Sequence, residues 1–180
     1  MVKTRQVVQE IKKKAGLQEV APKRTQTFVV DVDFWTSQDL SILDSKANLS
    51  KVQFGLPPKH VFYSNESSTF KVVPGNFSEG FYLNKGSLGN DVVQLGGLHL
   101  TNITFAQINQ IAWRYNEEPI DGILGISPHI SWQHIPSFLA QISDQLDQPI
   151  VSIFNDGNVY SNGSGQLTLG GEDLDNCQSN

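Results

Sequence analysis

Ile120-Asp121-Gly122-Ile123-Leu124-Gly125-Ile126 is the stretch whose reading decides the fold, because of what stands on either side of it. Upstream, Gly86-Ser87-Leu88-Gly89-Asn90-Asp91 runs into Val92-Val93-Gln94-Leu95-Gly96-Gly97-Leu98, and Ser67-Ser68-Thr69-Phe70 precedes both. Downstream stands Leu167-Thr168-Leu169-Gly170-Gly171-Glu172-Asp173. Short strings of glycine and aliphatic residues are common in β proteins, so each piece alone says little. Their order along one chain says much more.

The surrounding residues read as β-rich. Thr27 to Phe34 alternates from Val30 as a half-buried strand does, and Leu40 to Asp44 alternates more briefly. Ile150 to Phe154 and Gln166 to Leu169 read as two strands joined by a connection rich in Asn, Gly and Asp. Lys51 to Asn65, with Gly55-Leu56-Pro57-Pro58, reads as a loop. One helix is expected over Pro136 to Leu146, where Phe138, Leu139, Ile142 and Leu146 recur at helical spacing. Pro136 suits a first turn and Pro149 blocks further extension.

Charge divides the chain into two regions. Met1 to Arg24 holds seven Lys/Arg against Glu10 and Glu19, a net +5, while the remainder holds six basic against sixteen acidic residues, a net −10. An acidic body argues against a nucleic-acid partner, which requires a basic face to displace counterions from phosphates. Residues 4 to 15 read either as a short basic amphipathic helix stopped by Gly16 or as a solvated tail. No run of about 18 apolar residues would span a bilayer, and the first residues lack a signal peptide's apolar centre.

Five Asn-x-Ser/Thr sequons, at Asn48, Asn65, Asn76, Asn102 and Asn162, are glycan acceptors if the chain enters the secretory route, or chance products of an Asn- and Ser-rich chain. We take secretion, or lysosomal delivery, as the expectation. The single cysteine, Cys177, is either a free or buried thiol or half of a pair with a residue beyond Asn180.

The ordered motifs resemble the N-terminal lobe of the pepsin-like aspartic proteases, from about Thr27 to Cys177. The resemblance implies an all-β fold: one pepsin-like lobe of packed antiparallel sheets with one or two short helices. It implies a domain at 27–180 preceded by a prosegment-like basic extension at 1–26. The implied chemistry is peptide-bond hydrolysis at acidic pH with no metal or organic cofactor. Two carboxylates, one from each lobe, share a proton across a bound water, and their proximity drives their pKa values apart. The implied partners are a peptide or protein substrate and a second lobe, or self-association through the face a second lobe would cover.

Carried onto this sequence, the first catalytic aspartate is Asp44, at the end of Leu40-Ser41-Ile42-Leu43. The family's Asp-Thr-Gly-Ser turn is matched by Asp44-Ser45-Lys46-Ala47. Ser45 stands in for threonine as immediate support, but Lys46 replaces the turn glycine and Ala47 replaces the serine. A lysine there is expected to obstruct the close fold of backbone around the carboxylate, and its ammonium to pair with Asp44 and favour the ionised form. The flap tyrosine falls on Glu79, with Gly80 matching and Phe77 or Tyr82 as aromatic substitutes. The expected protein is thus an aspartic endopeptidase relative, catalytically impaired or incomplete. The alternative is a secreted, non-catalytic peptide- or protein-binding homologue.

Other chemistries find less support. His60, His99, His129 and His134 have no zinc-ligand spacing and read as surface or packing residues. No Gly-x-Ser-x-Gly elbow exists. The Gly-Gly pairs at 96–97 and 170–171 precede neither Lys-Ser/Thr nor a helical pattern, so they are not phosphate loops. Asp31, Asp33 and Asp91 would suggest a metal, but alternation places Asp31 and Asp33 on one strand face, where exposure is sufficient explanation.

Overall fold

The computed structural model describes residues 30–33, 40–47, 59–78, 84–111, 120–127, 135–155 and 165–176. Eight strands lie within these: β1 (Val30–Asp33), β2 (Leu40–Leu43), β3 (Lys71–Ser78), β4 (Lys85–Leu95), β5 (Leu98–Gln110), β6 (Gly122–Gly125), β7 (Val151–Asn155) and β8 (Gly165–Leu169). One α-helix, α1 (Phe138–Ile142), runs on into a 3₁₀ turn at Ser143–Gln145, and a second 3₁₀ turn covers Ser64–Glu66. The all-β expectation with one or two short helices holds. No helix among the described residues is long and apolar enough to cross a membrane.

The chain forms two compact units, Glu19–Val92 with Thr101–Gln141, and a second that includes Val93–Leu100 and Ile142–Asn180. Strands β1 to β6 form one sheet in the order β1-β6-β2-β5-β4-β3. The sheet is mixed rather than purely antiparallel: β1 runs parallel to β6 and β2 parallel to β5, while β2/β6 and β3/β4 are antiparallel. Such parallel pairings join segments far apart in sequence, which alternation within one strand does not encode. In the second unit β7 and β8 pair antiparallel, from Val151↔Leu169 to Asn155↔Gly165.

The glycines of the decisive stretch have a packing reason. Gly122 lies opposite Ile42 on β2 and Val30 on β1, and a Cβ on it would stand 2.1 Å from the Ser41 carbonyl oxygen. Ile123 and Leu124 are buried beside it. Gly86 is in the same position on β4, where a Cβ would lie 1.9 Å from the Gln107 carbonyl oxygen. Gly96-Gly97 makes the tight turn between β4 and β5.

One face of the larger unit is filled by Phe77, Leu88, Ala106, Ile108 and Ile135, with Ala47, Val61, Val73 and Ile111 packed against them. A second group centres on Phe62, whose ring stands edge-on to Phe105 at 5.4 Å and tilted to Phe70 at 5.6 Å. Such aromatic pairs contribute beyond their buried area. The Ser67-Ser68-Thr69-Phe70 motif is tied to β4 through buried Asp91, whose Oδ1 accepts from the Thr69 hydroxyl and from the Val92 N–H at 2.8 Å. That bonding satisfies the carboxylate in its buried position.

The helix begins at Phe138, two residues after Pro136, and its α-helical part ends at Ile142 rather than Leu146. Ser137 caps it, its Oγ accepting the Ala140 N–H at 3.3 Å, and Pro136 lies just outside. Gln141 then clamps both backbone groups of Thr104 on β5: Oε1 accepts the Thr104 N–H at 2.6 Å and Nε2 donates to its carbonyl at 3.0 Å. At that point β2 no longer flanks β5, since their pairing covers Ala106 to Ile108 only. A side-chain amide thus takes the place of a neighbouring strand. The segment expected as a loop over Lys51 to Asn65 is described from Lys59, where it contains a one-residue bridge at Phe62 and the start of the 3₁₀ turn.

Candidate active site

Asp44 lies directly after β2, half-buried, with its backbone held on two sides. Its N–H donates to the Ile108 carbonyl at 2.9 Å, and Asp44 and Phe62 form an isolated parallel bridge in which the Ser45 N–H donates to the Phe62 carbonyl at 3.0 Å. The turn closes when the Ala47 N–H donates to the Asp44 carbonyl at 2.9 Å. The Ala47 side chain packs against the apolar cluster below, so the alanine that replaces a serine serves as a small apolar anchor.

The carboxylate is held by one oxygen. Oδ1 accepts the Lys46 N–H at 2.8 Å and the Ser45 hydroxyl at 3.3 Å, while Oδ2 has no hydrogen-bond partner among the described residues. The expectation that Lys46 obstructs this cradle is not met at its amide. Among non-glycine residues only Asn102 has positive φ within the described set, so the turn at Lys46 makes no demand for glycine. The Lys46 side chain is exposed. The expected ion pair is also not formed: no salt bridge joins the Lys46 ammonium to Asp44. Contact between the two residues runs through backbone instead.

A partnership that spacing did not suggest supports the segment facing this turn. The buried Asp121 carboxylate accepts the His60 N–H on Oδ1 at 2.8 Å and meets His60 Nδ1 with Oδ2 at 2.9 Å, while Lys59 Nζ donates to the Ile120 carbonyl at 2.7 Å. His60 is thus more than a surface or packing histidine: its exposed ring caps the aspartate of the decisive stretch. Because Phe62 follows two residues later, this pair positions the strand segment that holds Ser45. Replacing Asp121 by alanine would leave the His60 donors without their acceptor, and is expected to cost roughly 1 to 3 kcal/mol in urea unfolding, with Asp121→Asn milder.

Beside this pair, Ser41, Asn84 and Asp121 furnish the polar walls of a cavity of about 20 Å³, otherwise lined by aliphatic side chains and Gly122. That is room for one water and for no peptide group. Among the described residues no three His, Cys, Asp or Glu side chains converge as a metal site. Glu79 and Gly80 lie outside the described residues, as do Phe81 and Tyr82, although β3 and β4, the two strands that lead to and from them, are paired from Lys71↔Asn90 to Ser78↔Lys85. Of the sequon asparagines, Asn65, Asn76 and Asn102 are exposed, and Asn48 and Asn162 lie outside the described residues, as does Cys177.

The comparisons with known proteins agree with this architecture. The chain is 29% identical over 168 residues to aspartic protease 1 of Caenorhabditis elegans, an alignment covering 87% of this chain. It spans 41% of the length of that relative. The model of the eukaryotic aspartyl proteases matches residues 21–180. On that match over most of its length, the chain belongs to the eukaryotic aspartyl protease family.

Proposed function

We propose that this chain is the N-terminal half-site of an aspartic endopeptidase, with Asp44 as one of two carboxylates that activate water against a peptide carbonyl. The observation that carries the reading is the asymmetry of its carboxylate: Oδ1 is fixed by Ser45 and Lys46, and Oδ2 is left open to a water and a shared proton. A general base must be oriented by neighbours while keeping one face for the substrate. In this reading residues 27–180 form the lobe and residues 1–26 a prosegment-like extension. Glu79 and Gly80 lie at the tip of the flap, and the second carboxylate comes from sequence outside these 180 residues or from a second copy. Secretion or lysosomal delivery, with glycans on the sequon asparagines, belongs to the same proposal.

A non-catalytic peptide-binding role is the second reading, and Lys46 favours it. The cation stands where the family's turn has an uncharged glycine, beside a carboxyl that must share a proton. The test is hydrolysis of a denatured protein in mild acid by the longest product of the reading frame containing these residues. Hydrolysis that falls roughly 10²- to 10⁴-fold in Asp44→Asn supports the endopeptidase. Unchanged hydrolysis in that variant sinks the role of Asp44, and peptide binding without cleavage in both proteins selects the second reading.

A further inference from the structure

We propose that Lys46 makes the Asp44 site selective for acidic peptides, its ammonium reading a carboxylate of the ligand next to the position that Asp44 addresses. The inference rests on the reading of Asp44 as the peptide site. Its basis is an exposed lysine whose backbone lies in the turn that holds Asp44. The Lys46 N–H is 2.8 Å from Asp44 Oδ1, so the stem of the lysine starts within the turn that carries the carboxylate. The side chain is exposed, and no ion pair with Asp44 or with any other carboxylate among the described residues engages the ammonium. Lys59, by contrast, donates to the Ile120 carbonyl.

Two features make this cation available to a ligand rather than to the fold. The turn holds together through backbone bonds from Asp44, Ser45 and Ala47, none of which uses the lysine's charge. Lysine also carries its ammonium on a flexible stem of four carbons, with three rotatable donors and a compact charge, suited to meeting a carboxylate over a range of positions. Residues 25 to 180 carry a net −10, so an acidic peptide is repelled by the body as a whole. Beyond about 8 to 10 Å that repulsion is screened at physiological salt, and the nearest charge decides. An uncharged residue at this position would leave Asp44 alone to face the ligand, and acidic peptides would be excluded. Lys46 offsets the Asp44 charge locally.

The test uses the 180-residue chain and two fluorescently labelled decapeptides of one apolar sequence, the first with a central pair of glutamates and the second with glutamines there. Binding is followed by anisotropy at pH 5.5, where glutamate is mostly ionised, in low and in high salt. The glutamate peptide is expected to bind roughly two- to five-fold more tightly at low salt. That preference shrinks in high salt, disappears in Lys46→Gln, inverts in Lys46→Glu and returns in Lys46→Arg. Equal binding of the two peptides by the native chain, weakened for both by Asp44→Asn, overturns the assignment of Lys46 and leaves the Asp44 site standing. A glutamate preference that survives Lys46→Gln also overturns it. Failure of both peptides to bind sinks this inference and the peptide site together.

Discussion

Gly122→Ala is expected to unfold this protein or to bring it to the edge of unfolding. The added methyl would stand 2.1 Å from the Ser41 carbonyl oxygen and 3.1 Å from the Ile42 Cα, both of them backbone atoms of the adjacent strand. A flexible side chain would swing away from such a contact, but a paired strand moves only as a whole. Strand β6 is hydrogen-bonded to β1 on one side and β2 on the other, so retreat from β2 compresses the pairing with β1. Overpacking of a closed core costs 1 to 3 kcal/mol, and the rigid neighbour puts this case at about 3 kcal/mol or more. Against a total stability of roughly 5 to 15 kcal/mol, that is a large share. A urea midpoint within error of the native one would show that β6 relaxes freely and that the close approach is not a constraint. Gly86→Ala, with a Cβ 1.9 Å from the Gln107 carbonyl oxygen, is expected to behave alike at the β4/β5 pairing.

Phe105→Ala is expected to be of comparable severity, and to reach the Asp44 turn from behind. Phe105 is 2% exposed and its ring meets Phe62 edge-on. Truncation of a buried phenylalanine costs 3 to 5 kcal/mol, partly through the cavity it leaves. The specific consequence lies in Phe62, whose carbonyl accepts the Ser45 N–H. With its packing partner gone, the Phe62 bridge to Asp44 loosens. Peptide hydrolysis or binding at Asp44 should therefore fall even at temperatures where the variant remains folded. Phe105→Leu keeps most of the volume and should cost less, with function largely retained. A Phe105→Ala protein that is destabilised by several kcal/mol yet fully functional when folded would show that Phe62 does not depend on that ring.

What the sequence revealed follows from what is local in it. The apolar alternation of Leu40 to Asp44, the helical spacing of Phe138, Leu139 and Ile142, and the two runs Ile150 to Phe154 and Gln166 to Leu169 each reflect the environment of a single element. Those readings correspond to β2, α1, β7 and β8. The helix start moved by two residues because Ser137 caps the first turn and leaves Pro136 outside it. Partnerships across long separations were not legible. His60 and Asp121 are 61 residues apart, Gln141 and Thr104 are 37 apart, and Thr69 and Asp91 are 22 apart; each involves a residue type that is common on surfaces. The Lys46 turn was misjudged for a different reason. A glycine in a motif can be needed for its φ or for the space beside it, and only coordinates show that the backbone here asks for neither positive φ nor an uncharged neighbour to supply its amide.

The pairing of β3 with β4 is irregular at its centre, which bears on how the protein fares at high concentration. This strand closes the six-stranded order, and its register with β4 shifts between Val73 and Asn76, where Pro74 offers no N–H and Gly75 turns to a φ of 133°. A molecule approaching that border meets an interrupted row of donors instead of a straight template. Fibril growth by adding strands there is therefore disfavoured from the outset, and conditions that straighten or unpair the border are the ones under which a preparation should be watched for turbidity.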